Sequence, residues 1–214
     1  MSETKQVTII LVRHAESTAN YYIREINKAE KICVPQFRNA GLSPKGFEAV
    51  IQSRHNLNVI PVDYILCSPL KRALQTCLLT YNTDSDFNNH IHVCPLIMEH
   101  HNYIENKGIE VSEIQSDPDI MCYKNFSKLE WDRYFWFGLT EPKIKWWKYN
   151  FRNNIEQRIQ LFKDMLKDPM FTDKIIMVYT HWGFINKLLG ICPENYESIV
   201  ITFDQDSGDI SQKN

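Results

Sequence analysis

The chain has 214 residues, of which 43% are apolar and 23% charged, with a formal net charge of -2. That length suits one domain able to bury a core without metal or disulfide staples, and the near-neutral charge excludes the basic field a nucleic-acid partner needs. A small-molecule function is the class that remains.

The polar start "MSETKQ" leads into "VTIILV" (7–12), an apolar run too short for a signal core or a membrane span. Its β-branched residues predict a strand covered on both faces in a largely parallel sheet. Arg13 and His14 follow directly. They stand either as a polar strand end or at the carboxyl edge where open α/β sheets place ligands. "LSPKGFEAVIQSRHNL" (42–57) predicts a helix capped by Ser43 with Pro44 at its first position, and Phe47, Val50, Ile51 and Leu57 toward the core. "VDYILC" (62–67) predicts a second buried strand, and "SPLKRALQTCLLTY" (68–81) a second helix with Arg72 in its first turn.

"HIHVCPLIME" (90–99) reads as a short strand and a loop, and 100–152 as an inserted, partly helical segment holding Trp131, Trp136, Trp146 and Trp147. That aromatic stretch fits a substrate lid or an aromatic core equally, and Lys143, Lys145 and Lys148 a solvated basic face. His90 and His92 have a spacing that suits a metal, but no cysteine or carboxylate set completes a site, so outward histidines on a strand are the expectation. "NIEQRIQLFKDMLKD" (154–168) predicts an amphipathic helix, "KIIMVYT" (174–180) a buried strand ending at His181, "INKLLG" a short helix and "SIVITF" (198–203) a last strand. The tail from about 204 to 214 is expected to fray. The six cysteines form no CxxC pair and mostly lie in apolar runs, which fits free thiols in the cytoplasm.

These elements predict a single α/β domain over 1–214, three layers deep, with a mostly parallel central sheet. Three strands then deliver Arg13 and His14, Ser68 to Arg72, and His181 to one edge. Two arginines and two histidines facing one cleft repel each other unless an anion sits among them, and arginine forks match phosphate oxygens. The first turn of a helix adds to that attraction.

"LVRHAESTAN", "GLSPKGFEA", "ILCSPLKRALQT", "PLIMEH" and "YTHWGF", in this order, resemble the histidine phosphatase superfamily, or phosphoglycerate mutase-like family, over nearly the whole chain. The resemblance implies that His14 is phosphorylated during turnover, that Arg13, Arg72 and His181 bind the phosphoryl group, and that Glu99 is the proton donor. It also implies pocket roles for Asn20 and Ser17. Read as isolated residues, Glu99 is a surface carboxylate, Asn20 a helix-start or turn residue, and Ser17 an N-cap.

Trp182 stands where the acid phosphatase branch carries an aspartate, so the acid is expected from the middle of the chain. "IMEHHNYIENKG" replaces the mutases' "NERHYG"-like block, and no Arg-Arg pair follows. The first expectation is therefore a metal-independent phosphomonoesterase acting on a small phosphorylated metabolite, with no cofactor, nucleic acid or membrane partner. The alternatives are a mutase dependent on 2,3-bisphosphoglycerate, and a non-catalytic phospho-ligand or protein-binding module on the same fold.

Overall fold

The computed structural model describes residues 5–25, 35–82, 89–100, 103–131 and 154–212. Its strands, β1 (Gln6–Arg13), β2 (Tyr64–Cys67), β3 (Ile91–Val93), β4 (Leu129–Glu130), β5 (Ile175–Thr180), β6 (Ser198–Asp204) and β7 (Ile210–Gln212), form one sheet in the order β4-β3-β2-β5-β1-β6-β7. The strands from β4 to β1 run parallel, and β6 and β7 close the other edge antiparallel. The two strand-helix repeats thus share a sheet, with β5 inserted between β1 and β2.

Period-2 alternation along β1 explains the three layers. Val7, Ile9 and Leu11 face one cluster, with Phe162, Leu166, Phe184 and Ile185. Ile10 and Val12 face the other, with Val50, Leu74, Cys77 and Leu78. A strand buried on both faces has to be apolar throughout, which is why "VTIILV" does not alternate with polar residues.

The helices are α1 (Thr18–Glu25), α2 (Pro44–Ser53), α3 (Lys71–Thr80), α4 (Val111–Gln115), α5 (Pro118–Met121), α6 (Ile155–Leu166) and α7 (Trp182–Leu189). In α2, Ser43 caps as expected, its Oγ accepting from the Gly46 N–H at 3.0 Å. Phe47 and Ile51 turn out to be exposed, leaving Val50 and Leu57 as the buried pair. Gly46 has a structural reason: a Cβ there would overlap the backbone carbonyl of Glu16. The His14–Ser17 loop lies directly on the start of α2, where Ser43 Oγ also donates to Glu16 Oε1 at 2.6 Å and Arg24 pairs with Glu16 Oε2.

Ser68-Pro69 does not begin α3, which starts at Lys71 without a local side-chain cap. Its first N–H is taken by Asn39 Oδ1, at 2.9 Å, from a residue held at φ 51°. The tail also differs from expectation: residues 210–212 form β7 and pair with β6, so ladder hydrogen bonds hold it in place instead of letting it fray.

Within the inserted segment the described part contains α4, α5, short 3-10 turns and β4. Trp136, Trp146, Trp147, Lys143, Lys145 and Lys148 lie outside the described residues. His90 and His92 both donate through Nδ1 to Glu130, at 2.7 and 3.0 Å, and among the described residues no group forms a metal cluster. Cys67, Cys77 and Cys94 are buried free thiols, Cys122 and Cys192 are exposed, and Cys33 lies outside the described residues. Among those residues no helix is long and apolar enough to cross a membrane.

Candidate active site

The register of the parallel ladder places the carboxyl ends of three strands side by side. Arg13 is level with Thr180, and Cys67 with Tyr179. One further bond extends each ladder: the His14 N–H donates to Thr180 O at 2.9 Å, and the Ser68 N–H to Tyr179 O at 3.0 Å. His14, Ser68 and His181 therefore leave the sheet together at its carboxyl edge, where open α/β sheets place ligands. The His14 and His181 ring centroids are 5.0 Å apart.

His14 is buried, and its two nitrogens are differentiated. Nδ1 faces the Ala15 carbonyl at 2.7 Å and must be the donor there, so Nε2 carries the lone pair and accepts from Arg72 Nε at 3.1 Å. Burial, then the charges of Arg72 and Arg13, push the His14 pKa well below its ordinary value. The ring is neutral, and the nitrogen that can act as a nucleophile faces the arginines.

Arg72 serves two more partners, donating from Nη1 to Glu105 O at 2.9 Å and from Nη2 to Asn106 Oδ1 at 2.6 Å. Its own pKa falls to about 10 through burial, although Glu99 and Glu105 pull the other way. Arg13 anchors by Nη1 to Pro193 O at 2.7 Å. Thr76 ties the two halves of the site together, accepting from the Ala15 N–H at 3.1 Å and donating to Arg72 O at 2.7 Å.

His181 faces Ser68 Oγ through Nε2 at 2.6 Å. Burial, then the charge of Arg72, lowers its pKa well below the usual range, so it is neutral in the free protein and does not yet add the positive charge a phosphate site calls for. Its Nδ1, together with Arg13 Nε and Glu105 Oε2, is buried with no hydrogen-bond partner among the described residues. Buried polar atoms are satisfied in most folded proteins, and these two nitrogens belong to an arginine whose charge acts on His14 and to a ring 5.0 Å from it, so they are donors available to an anion there.

Glu99 is buried at the same edge. Burial raises its pKa, but donors outweigh it: the His100 side chain at 3.2 Å and its N–H at 2.9 Å reach Oε1, and the Gly183 N–H reaches Oε2 at 3.1 Å. Together with the Arg72 charge they bring the pKa to about 2, so the group is a carboxylate in the free protein. Gly183 is required here because a Cβ would overlap the Glu99 carboxylate. Glu105 shifts upward, chiefly through burial.

Ser17 and Asn20 hydrogen-bond to each other in a reciprocal cap at the start of α1. Ser17 Oγ accepts from the Asn20 N–H, and Asn20 Oδ1 accepts from the Ser17 N–H, both at 3.1 Å. This is the helix-start geometry that their residue types left open. Sequence reasoning brought Ser68 to this edge without its pairing to His181, and missed Thr180, Glu105, Asn106 and Arg158. Ser68 looked like a helix cap, and only Arg158 carried a local signal, as a charged residue on the buried stripe Ile155, Arg158, Phe162, Leu166.

The histidine phosphatase superfamily (branch 1) model matches residues 9–199, which takes in every element from β1 to the start of β6. This chain belongs to that superfamily. Solved structures agree at the level of the fold. The α-ribazole phosphatase from Shigella flexneri superposes with a TM-score of 0.56 at 20% identity, covering 96% of this chain and 94% of that one. A mutant phosphoserine phosphatase from Entamoeba histolytica, bound to phosphoserine, gives 0.56 at 18% identity over 97% and 95%. The phosphoglycerate mutase from Bacillus anthracis gives 0.53 at 14% identity over 99% and 93%. No curated protein matches the sequence. As a branch 1 histidine phosphatase the chain is an enzyme of phosphoryl transfer, built on a mostly parallel seven-stranded α/β sheet.

Proposed function

We propose that this histidine phosphatase is a metal-independent phosphomonoesterase that hydrolyses a small phosphorylated metabolite through phospho-His14. The observation that carries the reading is the His14 ring itself, with Nδ1–H held on Ala15 O at 2.7 Å and the Nε2 lone pair among Arg72, Arg13 and His181. In the first step Nε2 attacks phosphorus in line, the P–N bond forms and the ester P–O bond breaks. Arg72 and the buried Arg13 Nε neutralise the equatorial oxygens, and with Ser68 donating to Nε2, His181 offers Nδ1–H to the same group. A bound dianion also reverses the field around His181 and favours its protonated form.

Glu99 gives a proton to the leaving alkoxide and takes one from the water that then cleaves phospho-His14. Its carboxylate is charged in the free protein, so the proton has to arrive with substrate. The phosphate dianion raises the Glu99 pKa and offsets the pull of Arg72. Ser17 and Asn20 stand at the start of α1 as lining residues of the same pocket. The buried reduced thiols of Cys67, Cys77 and Cys94 support a cytoplasmic setting.

The test is a panel of phosphate esters with and without 2,3-bisphosphoglycerate. Release of inorganic phosphate unaffected by EDTA is the expected result. Isomerisation of phosphoglycerate without phosphate release would replace this reading with the mutase, and turnover of nothing would favour a binding module. His14→Ala should abolish turnover along with acid-labile, base-stable labelling by substrate, and a fully active variant would overturn the mechanism.

A further inference from the structure

Arg158 lies near the start of α6, outside every motif of the site, and is fully buried. Its neighbours on the helix stripe, Ile155, Phe162 and Leu166, belong to the apolar cluster behind the sheet. Taking a guanidinium out of water costs several kcal/mol. An apolar side chain of similar length would fill the space without that cost, so packing alone does not account for an arginine here.

Three of its hydrogen bonds go to one short stretch of backbone. Nη1 donates to Leu96 O and Met98 O, both at 2.7 Å, and Nη2 to Glu99 O at 3.4 Å. The carbonyl between them, Ile97 O, accepts from Thr180 Oγ1 at 2.6 Å, and Thr180 immediately precedes His181. Four successive carbonyls, 96 to 99, are therefore held by two side chains. This stretch runs out of a 3-10 turn, Pro95–Ile97, on which α6 packs. A segment without ladder partners needs side chains to hold its backbone, and a forked donor can fix two carbonyls where a point charge cannot.

We propose that Arg158 is a positioning residue for Glu99, fixing the backbone of Leu96–Glu99 from inside α6 so that the Glu99 carboxyl stands at the leaving-group oxygen. The proposal rests on the reading of Glu99 as proton donor. Glu99 is then clamped at both ends: its carboxylate by Gly183 N–H and His100, its backbone by Arg158 and Thr180. The placement of the acid thereby depends on the docking of α6, which enters the fold only after the inserted segment. Arg158 makes none of these bonds to His14, Arg72 or Arg13, and its charge only opposes protonation of His181, so losing it does not weaken the phosphate cage.

A structural role and a positioning role give different kinetics. A displaced acid hurts esters of poor leaving groups, which need the proton, far more than esters of good ones. The wild type, Arg158→Lys, Arg158→Met and Glu99→Gln are compared on p-nitrophenyl phosphate, phenyl phosphate and β-glycerophosphate, with tungstate inhibition as a measure of the phosphate cage and thermal melting as a measure of folding. Arg158→Met should lose about 100-fold in kcat/KM on β-glycerophosphate and less than about tenfold on p-nitrophenyl phosphate, with tungstate affinity unchanged. Arg158→Lys, which keeps charge and stem but loses the fork, should fall between Met and wild type, and it serves as the decisive variant if Arg158→Met does not fold. Equal losses on all three esters, or a parallel loss of tungstate affinity, would overturn the proposal. Glu99→Gln separates the two levels. If it shows the leaving-group dependence and folded Arg158→Lys does not, only the positioning role falls. If Glu99→Gln shows none, the proton-donor reading falls and takes the proposal with it.

Discussion

Gly183 sits at the second position of α7 with two tasks that no other residue type combines. Its N–H donates to Glu99 Oε2 at 3.1 Å, and the space beside its Cα is occupied by the Glu99 carboxylate and the His100 ring. Both are side-chain ends that can move, so a methyl group added there displaces function before it displaces fold. Alanine is also favoured over glycine inside a helix by roughly 1 kcal/mol. Gly183→Ala is therefore expected to melt within a few degrees of the wild type while kcat on an alkyl phosphate falls by about tenfold or more; thermal melting and steady-state kinetics on one preparation check both halves. His14, Arg72 and His181 were legible at this scale because each follows an apolar strand or opens a helix. Glu105 and Asn106 were not, because their contacts with Arg72 span more than thirty residues and leave no local period.

At the scale of elements, α3 shows why boundaries are harder to read than existence. Leu70, Leu74, Cys77 and Leu78 form one buried stripe, yet the Ser-Pro with which the predicted helix begins lies before it, and Ser68 serves His181 instead. The cap comes from Asn39, thirty-two residues earlier, and an acceptor reaching in from another loop has no signature in the helix's own sequence. Asn39 also sits at φ 51°, a region that asparagine tolerates and alanine does not. Asn39→Gly loses only the cap and should cost about 1 kcal/mol. Asn39→Ala adds backbone strain and should cost about 2 kcal/mol, and the difference in denaturant midpoint between the two variants measures the strain alone. In α6 the reverse holds: the apolar period predicts the helix correctly, but counting apolar residues alone puts Ile159 on the stripe and leaves Arg158 off it. Ile159 is only partly buried, and Arg158 is inside.

For the whole molecule, two neutral histidines buried at the sheet edge tie stability to pH. Both His14 and His181 have pKa values well below the 6.5 of the unfolded chain, so below pH 6.5 the unfolded state binds more protons than the folded one. Stability is then full above pH 6.5 and lost as pH falls, by up to about 1.4 kcal/mol per pH unit for each histidine. Urea unfolding of the free protein between pH 7.5 and 5.5 should show this slope, and a His181→Gln variant about half of it; a pH-independent midpoint would mean that both rings titrate as they do in the unfolded chain. The parallel pairing of β1 and β5 has a consequence of another kind. His14 and His181 leave adjacent strands in register, and their 5.0 Å separation is close to the spacing of about 4.8 Å that backbone pairing imposes on any two neighbouring strands. The distance between nucleophile and partner is thus set by the sheet, not by side-chain packing. Substitutions that repack the neighbours of either ring leave the two strand ends one pairing distance apart, so the nucleophile and its partner keep their spacing for as long as β1 and β5 stay paired.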